Sequence, residues 1–366
     1  MTELFQAHTQ WATRPDDERF TSLSELQAFT THKREISRGK VLPSTSLSAA
    51  PVEDEGKYRA LAILGPDGAP AAPTNWAFSQ MAERIQAPAG YLRKLPSPLV
   101  ADLINYGLQS RNVEDIGALV RKNGGTELAA VTGPNYGRVW NSEVIDALVN
   151  RFGDGVTGDF TVPGEFGRAV RVTKDNTTLF ASDRDMFVFL ADEKNRIELP
   201  NRRNGETGSM ARGFFIWNSE VGSRTLGIST FLFDYVCCNR IVWGAEGVQE
   251  FRINHTSSAP TRFLEEVAPA IEAYAHQSSV GITDAIAKAR ETRLEDKVEE
   301  FLRGRFGFSK NQYQAIQAVH MLEEERPIET IWDATTAVTA YAKGIKHQDE
   351  RIVLERAGGR MLSMAK

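Results

Sequence analysis

The chain has 366 residues, of which 41% are apolar and 25% are charged, and its formal net charge is −5. These are ordinary values for a globular protein, and a chain of this length can bury a core without disulfides or metals. The sequence contains no run of about 18 apolar residues that would span a membrane. The net charge also excludes the global basic field that marks many nucleic-acid-binding proteins.

Residues 1–56 predict a loosely structured N-terminal segment. Within it, Ser22 or Ser24 caps a short predicted helix, and a loop rich in Pro, Ser and acidic residues follows. The start of the chain lacks the basic residues and apolar run of a signal peptide. The two cysteines, Cys237 and Cys238, are adjacent and form no disulfide framework. These features predict a soluble, cytoplasmic protein with no membrane partner.

Residues 57–255 predict an α+β core domain. A strand-like run and two amphipathic helices come first, with Leu99, Leu103 and Leu108 on one face of the second helix. Asn141 or Ser142 is expected to cap a further helix. From Phe160 to Trp243 the apolar pattern has period two, and the short loops between the strands favour antiparallel pairing.

Residues 256–366 predict a helical C-terminal region, in which Ser309 and Gln312 have the spacing of a capping box. Helices are expected over 261–277, 283–305, 309–325 and 329–343. The predicted fold is therefore α+β, with a central, mainly antiparallel β-sheet flanked by N-terminal helices and a helical C-terminal region.

The stretch GFFIWNSEVGSRTLGISTF, residues 213–231, places a polar centre between two apolar runs. Asn218 and Gly222 tolerate positive φ, so this centre predicts a hairpin turn that orients a neighbouring site without doing chemistry itself. A lone buried carboxylate is costly. If Glu220 is buried, we therefore expect it to pair with Arg212 or Arg224.

A basic segment, EKNRIELPNRRNGETGSMARGFF (193–215), lies between two apolar strands and predicts a hairpin that carries guanidinium groups to phosphate oxygens. Tyr136 and Trp217 are predicted to stack unpaired bases. Alternatively, the arginines only keep an exposed hairpin soluble and the aromatic residues belong to the core. The predicted phosphate-binding residues are Lys194, Arg196, Arg202, Arg203, Arg212 and Arg184.

Motifs for catalysis and cofactors are weak in this chain. The GDGVTG stretch at 153–158 follows a helix and precedes a strand, the reverse of a dinucleotide-binding fingerprint. Asp183 and Asp185 would share one face of a strand, and with His255 they form the alternative metal site, although a solvated strand end is the simpler reading. The sequence favours a non-enzymatic protein with no cofactor and no metal.

Four stretches of the chain carry a resemblance to a known family: residues 76–96, 130–148, 213–244 and 330–343. They resemble the phage and plasmid-like protein family known as domain of unknown function 932. The family implies a gene of prophages, phages or plasmids and no established reaction. The order of strands and helices also resembles, at the level of fold, the Rad-type single-strand annealing proteins. That likeness implies DNA annealing without nucleotide cofactors, by rings or arcs of subunits with a basic groove beside a β-hairpin.

These observations lead to the hypothesis of a homo-oligomeric protein of a mobile element that binds or anneals single-stranded DNA, with host or phage replication proteins as further partners. One alternative is a metal-dependent enzyme acting on nucleic acid or nucleotides through Asp183, Asp185, Glu220 and His255. The other is a module that binds a host protein through the helical region after residue 261.

Overall fold

The computed structural model describes residues 14–365, except 55–56, 111–113, 123, 164–170, 203–205, 235–239, 242–250, 277–279 and 345–347. Over these residues the fold is α+β with two mainly antiparallel sheets, which confirms the predicted fold class. None of the helices in the described part combines the length and the apolar character needed to cross a bilayer.

The secondary structure is numbered here in chain order. The strands are β1 (Arg19–Phe20), β2 (Ser37–Pro43), β3 (Ser48–Asp54), β4 (Lys57–Leu64), β5 (Pro70–Pro73), β6 (Asp115–Lys122), β7 (Thr126–Thr132), β8 (Phe160–Thr161), β9 (Leu179–Ala181), β10 (Met186–Asp192), β11 (Ile197–Arg202), β12 (Glu206–Asn218), β13 (Leu226–Asp234), β14 (Arg240–Ile241) and β15 (Phe251–Ile253). The helices are α1 (Leu23–Glu35), α2 (Asn75–Arg84), α3 (Ala89–Leu92), α4 (Ser97–Ser110), α5 (Asn141–Phe152), α6 (Ala259–Arg262), α7 (Ala268–His276), α8 (Val280–Glu291), α9 (Lys310–Glu324), α10 (Ile331–Lys343) and α11 (Gln348–Ser363).

The larger sheet has the order β1–β9–β10–β12–β13–β14, with β8, β11 and β15 pairing beside this path. Its longest strand, β12, pairs antiparallel with β10 on one side and β13 on the other. Because side chains alternate along a strand, Phe214 and Ile216 enter one core with α1, α5 and α7. The period-two pattern of the sequence correctly predicted this sheet.

The smaller sheet has the order β2–β6–β7–β5–β4–β3 and is antiparallel except between β5 and β7. Helices α2 and α4 cover one face of it. The predicted core face of α4 is wrong in part, because Leu99 and Leu103 are 46% and 37% exposed while Val100, Ile104 and Leu108 are buried. Apolar residues lie on both faces of α4, so periodicity alone could not choose between them.

The prediction of a loosely structured segment at 1–56 is wrong for the described residues 19–54, which form α1 and three strands. The Oγ atom of Ser22 caps α1 by accepting from the Glu25 amide at 3.1 Å. Pro51, which argued for a loop, lies in β3 at the edge of the sheet, where a missing amide donor is tolerated. The boundaries at residues 56 and 255 remain predictions.

The C-terminal helices share a core with the larger sheet. Met210 and Leu232, on β12 and β13, pack with Trp332 and Val338 of α10. The predicted capping box at the start of α9 is confirmed by bonds in both directions between Ser309 and Gln312. The helix expected over 283–305 is interrupted: α8 ends at Glu291, where Arg293 pairs with Thr330 before α10, and a π-helical segment follows at Glu300–Arg305.

Candidate nucleic-acid interface around a buried loop

Residues 218–223, called the central loop below, connect β12 to β13 and form the turn that the sequence predicts. Gly222 has a φ of 82°, in the region that favours glycine. Most hairpin turns lie at the surface. Here Asn218, Ser219, Glu220 and Val221 are at most 2% exposed, so the first four residues of the turn lie inside the molecule, whereas Gly222 is exposed.

Side chains from other segments satisfy three consecutive carbonyl groups of the central loop. A buried carbonyl without a partner would cost free energy comparable to a lost hydrogen bond, so these donors stabilise the loop in its buried position. The donors come from α2 and from the segment between β7 and α5. The bonds are Tyr136 Oη to Ser219 O (2.7 Å), Arg138 Nη1 to Glu220 O (2.9 Å), and Trp76 Nε1 (2.9 Å) and Gln80 Nε2 (2.8 Å) to Val221 O.

The Glu220 carboxylate links the central loop to the smaller sheet and to α5. Its Oε2 atom accepts from Arg121 Nη2 at 3.3 Å, and its Oε1 atom accepts from the Asn141 amide at 2.9 Å. The predicted partners, Arg212 and Arg224, are therefore wrong. Asn141 is the first residue of α5, so its amide has no partner within the helix, and the Glu220 carboxylate supplies one. The predicted cap at Asn141 or Ser142 is absent.

Arg212 and Trp217 were predicted to contact DNA, but both are buried in β12, at 3% and 2% exposure. Arg212 Nη2 donates to Asp192 Oδ2 at 2.7 Å. Trp217 packs so closely on Gly227 that a Cβ atom there would lie 2.0 Å from the indole. Because both side chains are buried, neither is available to a strand.

Within the described part of the predicted basic hairpin, the remaining cations do not form a row. Lys194 is exposed, but Arg196 is half-buried and forms an ion pair with Glu193. Arg202 is the last residue of β11, but the structure does not describe its side chain, and Arg203 lies outside the described residues. The acidic neighbour seen in the sequence therefore neutralises part of this hairpin.

The alternative metal site is not assembled. Asp185 accepts from Arg14 Nη2 at 2.5 Å and from Arg224 Nε at 2.6 Å, so both of its carboxylate oxygens are occupied. Asp183 is exposed, and His255 instead contacts the Gly137 carbonyl. Within the part of the chain that the structure describes, no three His, Cys, Asp or Glu side chains form a group that could hold a metal.

Asp185 makes stability depend on pH in a defined direction. Burial alone would raise the pKa of Asp185, but the guanidinium groups of Arg14 and Arg224 outweigh it and hold the pKa below the ordinary 3.8. A lowered folded-state pKa contributes stability that is present above the ordinary value and is lost as pH falls through the folded pKa. We expect Asp185→Asn to remove this acid-dependent loss below about pH 4, measured by denaturant unfolding at several pH values. If the free energy of unfolding of the variant falls with decreasing pH as steeply as that of the wild type, the prediction is contradicted.

Four arginines lie over aromatic rings beside the central loop, and we call these pairs the arginine–aromatic row. Arg34, Arg93 and Arg184 are exposed, whereas Arg138 is half-buried. Among the described residues, no carboxylate lies within 4.0 Å of these four guanidinium groups. The distances from Cζ to ring centroid are 3.9 Å for Arg34 over Trp140, 5.3 Å for Arg138 over Tyr136, 5.8 Å for Arg184 over Trp76 and 5.0 Å for Arg93 over Phe78.

The pairs of the row are connected to each other. Arg138 also lies 5.6 Å from the Trp140 ring, which joins the first two pairs. Trp76 and Trp140 both pack against the buried cluster that contains Val221 of the central loop. Arg93 Nη2 donates to the carbonyl of Asn75, next to Trp76, at 2.8 Å. The row therefore follows the rim of the central loop.

Tyr136 supports the loop and has one ring face covered. The imidazole of His255 stacks on it, with ring centroids 4.8 Å apart. Burial raises the pKa of Tyr136 and lowers the pKa of His255, so the phenol remains a donor and the imidazole is neutral. Because a carbonyl can only accept, the His255 Nδ1 atom carries the proton that bonds to Gly137 O at 3.0 Å. Two half-buried indoles, those of Trp76 and Trp140, also lie beside the loop. The sequence offers Trp140 as a further stacking candidate, whereas no sequence pattern indicates Trp76.

Further positive charge lies beneath the row. Lys33 Nζ donates to the Ser182 carbonyl at 2.9 Å. Burial, with the charge of Arg121 nearby, lowers the pKa of Lys33 to about 8, so the amine is mostly protonated at neutral pH. Of the predicted phosphate-binding residues, Arg184 belongs to the row, and its carbonyl accepts from Ser219 Oγ at 2.6 Å.

Comparison of the chain with models of protein families, with curated proteins and with solved structures finds no match. The resemblance of the four sequence stretches to a phage and plasmid-like family remains a prediction.

Proposed function

We propose that the protein binds single-stranded DNA along the arginine–aromatic row. The observation that carries the proposal is that four guanidinium groups lie over rings and have no carboxylate partner among the described residues. A guanidinium that lies over a ring has further N–H groups that can donate to phosphate oxygens. The half-buried indoles of Trp76 and Trp140 supply apolar surface for bases.

The arrangement favours an unpaired strand over a duplex. A duplex offers only phosphates and groove edges, whereas a single strand also offers base faces to aromatic side chains. The net charge of −5 does not oppose this function, because a local cluster of cations can bind phosphate on an acidic protein. The buried Glu220, bonded through both oxygens, positions the neighbouring cations.

The biological setting follows from the sequence resemblance. We propose a cytoplasmic protein of a prophage, phage or plasmid that acts without a cofactor, as a homo-oligomer, in DNA recombination or replication. The alternative in which the region after residue 261 binds a host protein remains a prediction.

The test is the salt dependence of binding to a labelled dT oligomer by fluorescence anisotropy. Replacing Arg34, Arg93 and Arg184 together with glutamine removes exposed cations without breaking an ion pair among the described residues. Each lost phosphate contact is expected to reduce the log–log salt slope by about 0.7, and the triple variant by about 2. The matched control replaces three exposed lysines away from the row, Lys288, Lys297 and Lys310, with glutamine.

The proposal predicts a strong loss of affinity in the arginine variant and an unchanged slope in the lysine control. Wild-type affinity that is flat between about 50 and 300 mM salt would overturn it, because phosphate neutralisation requires counterion release. Equal losses in the two variants would also overturn it, since they would indicate a non-local effect of charge.

A further inference from the structure

A cleft of about 380 Å³ opens beside the central loop. This volume lies in the range of sites that hold small organic ligands. Tyr136 belongs both to the cleft and to the arginine–aromatic row, so a strand on the row passes the mouth of the cleft. The cleft is lined by Gln80, Glu83, Arg84, Val131, Thr132, Gly133, Tyr136 and Gly222.

Gly222 keeps this cleft open. A Cβ atom at this position would lie 3.4 Å from Gln80 Nε2, 3.5 Å from Thr132 Cγ2 and 3.6 Å from Tyr136 Cε2. Any side chain longer than a methyl group would therefore enter the space among these three lining residues. Both the positive φ at residue 222 and the open cleft beside it require glycine at this position.

Most polar groups of the cleft already have partners. The Gln80 amide donates to the Val221 carbonyl at 2.8 Å and accepts from the Val131 amide at 2.9 Å. The Thr132 hydroxyl donates to Gly117 O at 3.1 Å. These bonds fix the walls of the cleft and leave little hydrogen-bonding capacity for a ligand.

Glu83 and Arg84 are the lining residues whose side chains can still form hydrogen bonds with a ligand. Glu83 is exposed, and its carboxylate has no partner among the described residues. Arg84 lines both this cleft and a neighbouring one, where its Nη1 atom contacts Glu114 at 3.5 Å. That contact uses one nitrogen of the guanidinium fork, and the fork has further N–H donors. The ligand that fits needs two adjacent donors for a carboxylate and two adjacent acceptors for a guanidinium.

Among the DNA bases, guanine has this pattern. Its N1–H and N2–H groups form an edge of two donors, and its O6 and N7 atoms form an edge of two acceptors that arginine binds bidentately. Adenine and cytosine each have a single donor group, the exocyclic amine, and thymine places one donor between two acceptors, so none of these three bases offers two adjacent donor groups. We infer that this cleft binds a guanine base of the strand held by the arginine–aromatic row, an inference that rests on the proposed function.

The experiment compares a dT oligomer with the same oligomer carrying one central dG, dA, dC or deoxyinosine. A bidentate contact predicts about tenfold tighter binding of the dG oligomer. The dA and dC oligomers are expected to bind like dT. Deoxyinosine lacks the N2 amino group and is expected to lose most of the preference. Equal affinities of the dG and dT oligomers would overturn the inference while leaving the proposed function in place.

Glu83→Gln is the variant that isolates the cleft. Glutamine cannot accept from both donors in the same way, so the dG preference is expected to disappear while dT affinity stays within about twofold. The matched control is Glu291→Gln, an exposed glutamate on α8. A preference for dG that survives in Glu83→Gln would overturn the assignment of this residue.

Free guanosine separates this inference from the proposed function. Suppose that no oligomer binds, that guanosine binds to the wild type, and that Glu83→Gln no longer binds guanosine. The strand-binding function then fails and the guanine site stands. If neither the oligomers nor guanosine bind, both proposals fail. Calorimetry with guanosine and with adenosine gives this readout without any phosphate.

Discussion

Glu220→Gln is expected to lower the free energy of unfolding by about 3–5 kcal/mol, because it removes the charge of one member of a buried ion pair. The side chains of Arg121 and Glu220 are only 5% and 3% exposed. Glutamine has nearly the same volume, so the loss reports the charge and not a cavity. Arg121 would be left buried with its other carboxylate partner, Glu127, at 3.7 Å.

The measurement is denaturant unfolding of the wild type, Glu220→Gln and the control Glu35→Gln, whose side chain is exposed. The control is expected to change stability by less than about 0.5 kcal/mol. In a double-mutant cycle, Arg121→Met combined with Glu220→Gln should cost less than the two single changes added together, because the pair is coupled. A cost below about 1 kcal/mol for Glu220→Gln would contradict the structural role argued for the pair.

Glu220 also connects stability to the proposed function. Its carbonyl accepts from Arg138, and its carboxylate bonds to Arg121 and to the first amide of α5. Trp140, which carries Arg34 on its ring, immediately precedes that amide. Loosening the central loop should therefore weaken oligonucleotide binding at temperatures where the variant remains folded.

The sequence predicted the parts of the fold that local pattern controls. Alternating apolar residues predicted the strands around β12, and the polar centre at 218–223 predicted the turn after it. The partner of Glu220 could not be predicted, because Arg121 lies 99 residues away on the other sheet. A pattern within one hairpin contains only Arg212 and Arg224, which have carboxylate partners of their own.

The candidate site was missed for a related reason. Its four arginines come from four separate segments of the chain, so no single segment contains the set. In the basic segment at 193–215, Arg212 instead forms a buried pair with Asp192, and Arg196 pairs with Glu193. The only signal in the sequence was the short spacing of Tyr136, Arg138 and Trp140, an alternation of aromatic and basic residues before α5.

Asp192→Asn is expected to lower the free energy of unfolding by about 3–5 kcal/mol, since it removes the charge of one member of a buried ion pair. The two side chains are 0% and 4% exposed, and the Nη2–Oδ2 distance is 2.7 Å. Arg212 Nη1 lies 3.4 Å from the Tyr274 carbonyl, so the guanidinium is held between the sheet and α7. Equilibrium unfolding of Asp192→Asn measures the loss, with Asp102→Asn on the exposed face of α4 as the control.

Replacing both members of the pair should give a different result. A well-packed apolar pair is often as stable as a buried ion pair, so Asp192→Leu with Arg212→Met is expected to recover most of the loss. Asp192 also accepts from the Asn195 amide at 3.1 Å, and that bond would not be recovered. A double variant as unstable as Asp192→Asn would show that the bonds to the 192–195 turn, and not the charge pair, stabilise this region.

The same double variant decides where the DNA-binding cations are. Because Arg212 is buried, the double variant is expected to bind a dT oligomer with the wild-type log–log salt slope. In the variant of Arg34, Arg93 and Arg184, the magnitude of that slope is expected to fall by about 2. A slope that falls by about 0.7 in the double variant would place Arg212 against a phosphate and restore the interface predicted from the basic hairpin. An unchanged slope, together with recovered stability, assigns Arg212 to the core and leaves the surface around the central loop as the site of strand binding.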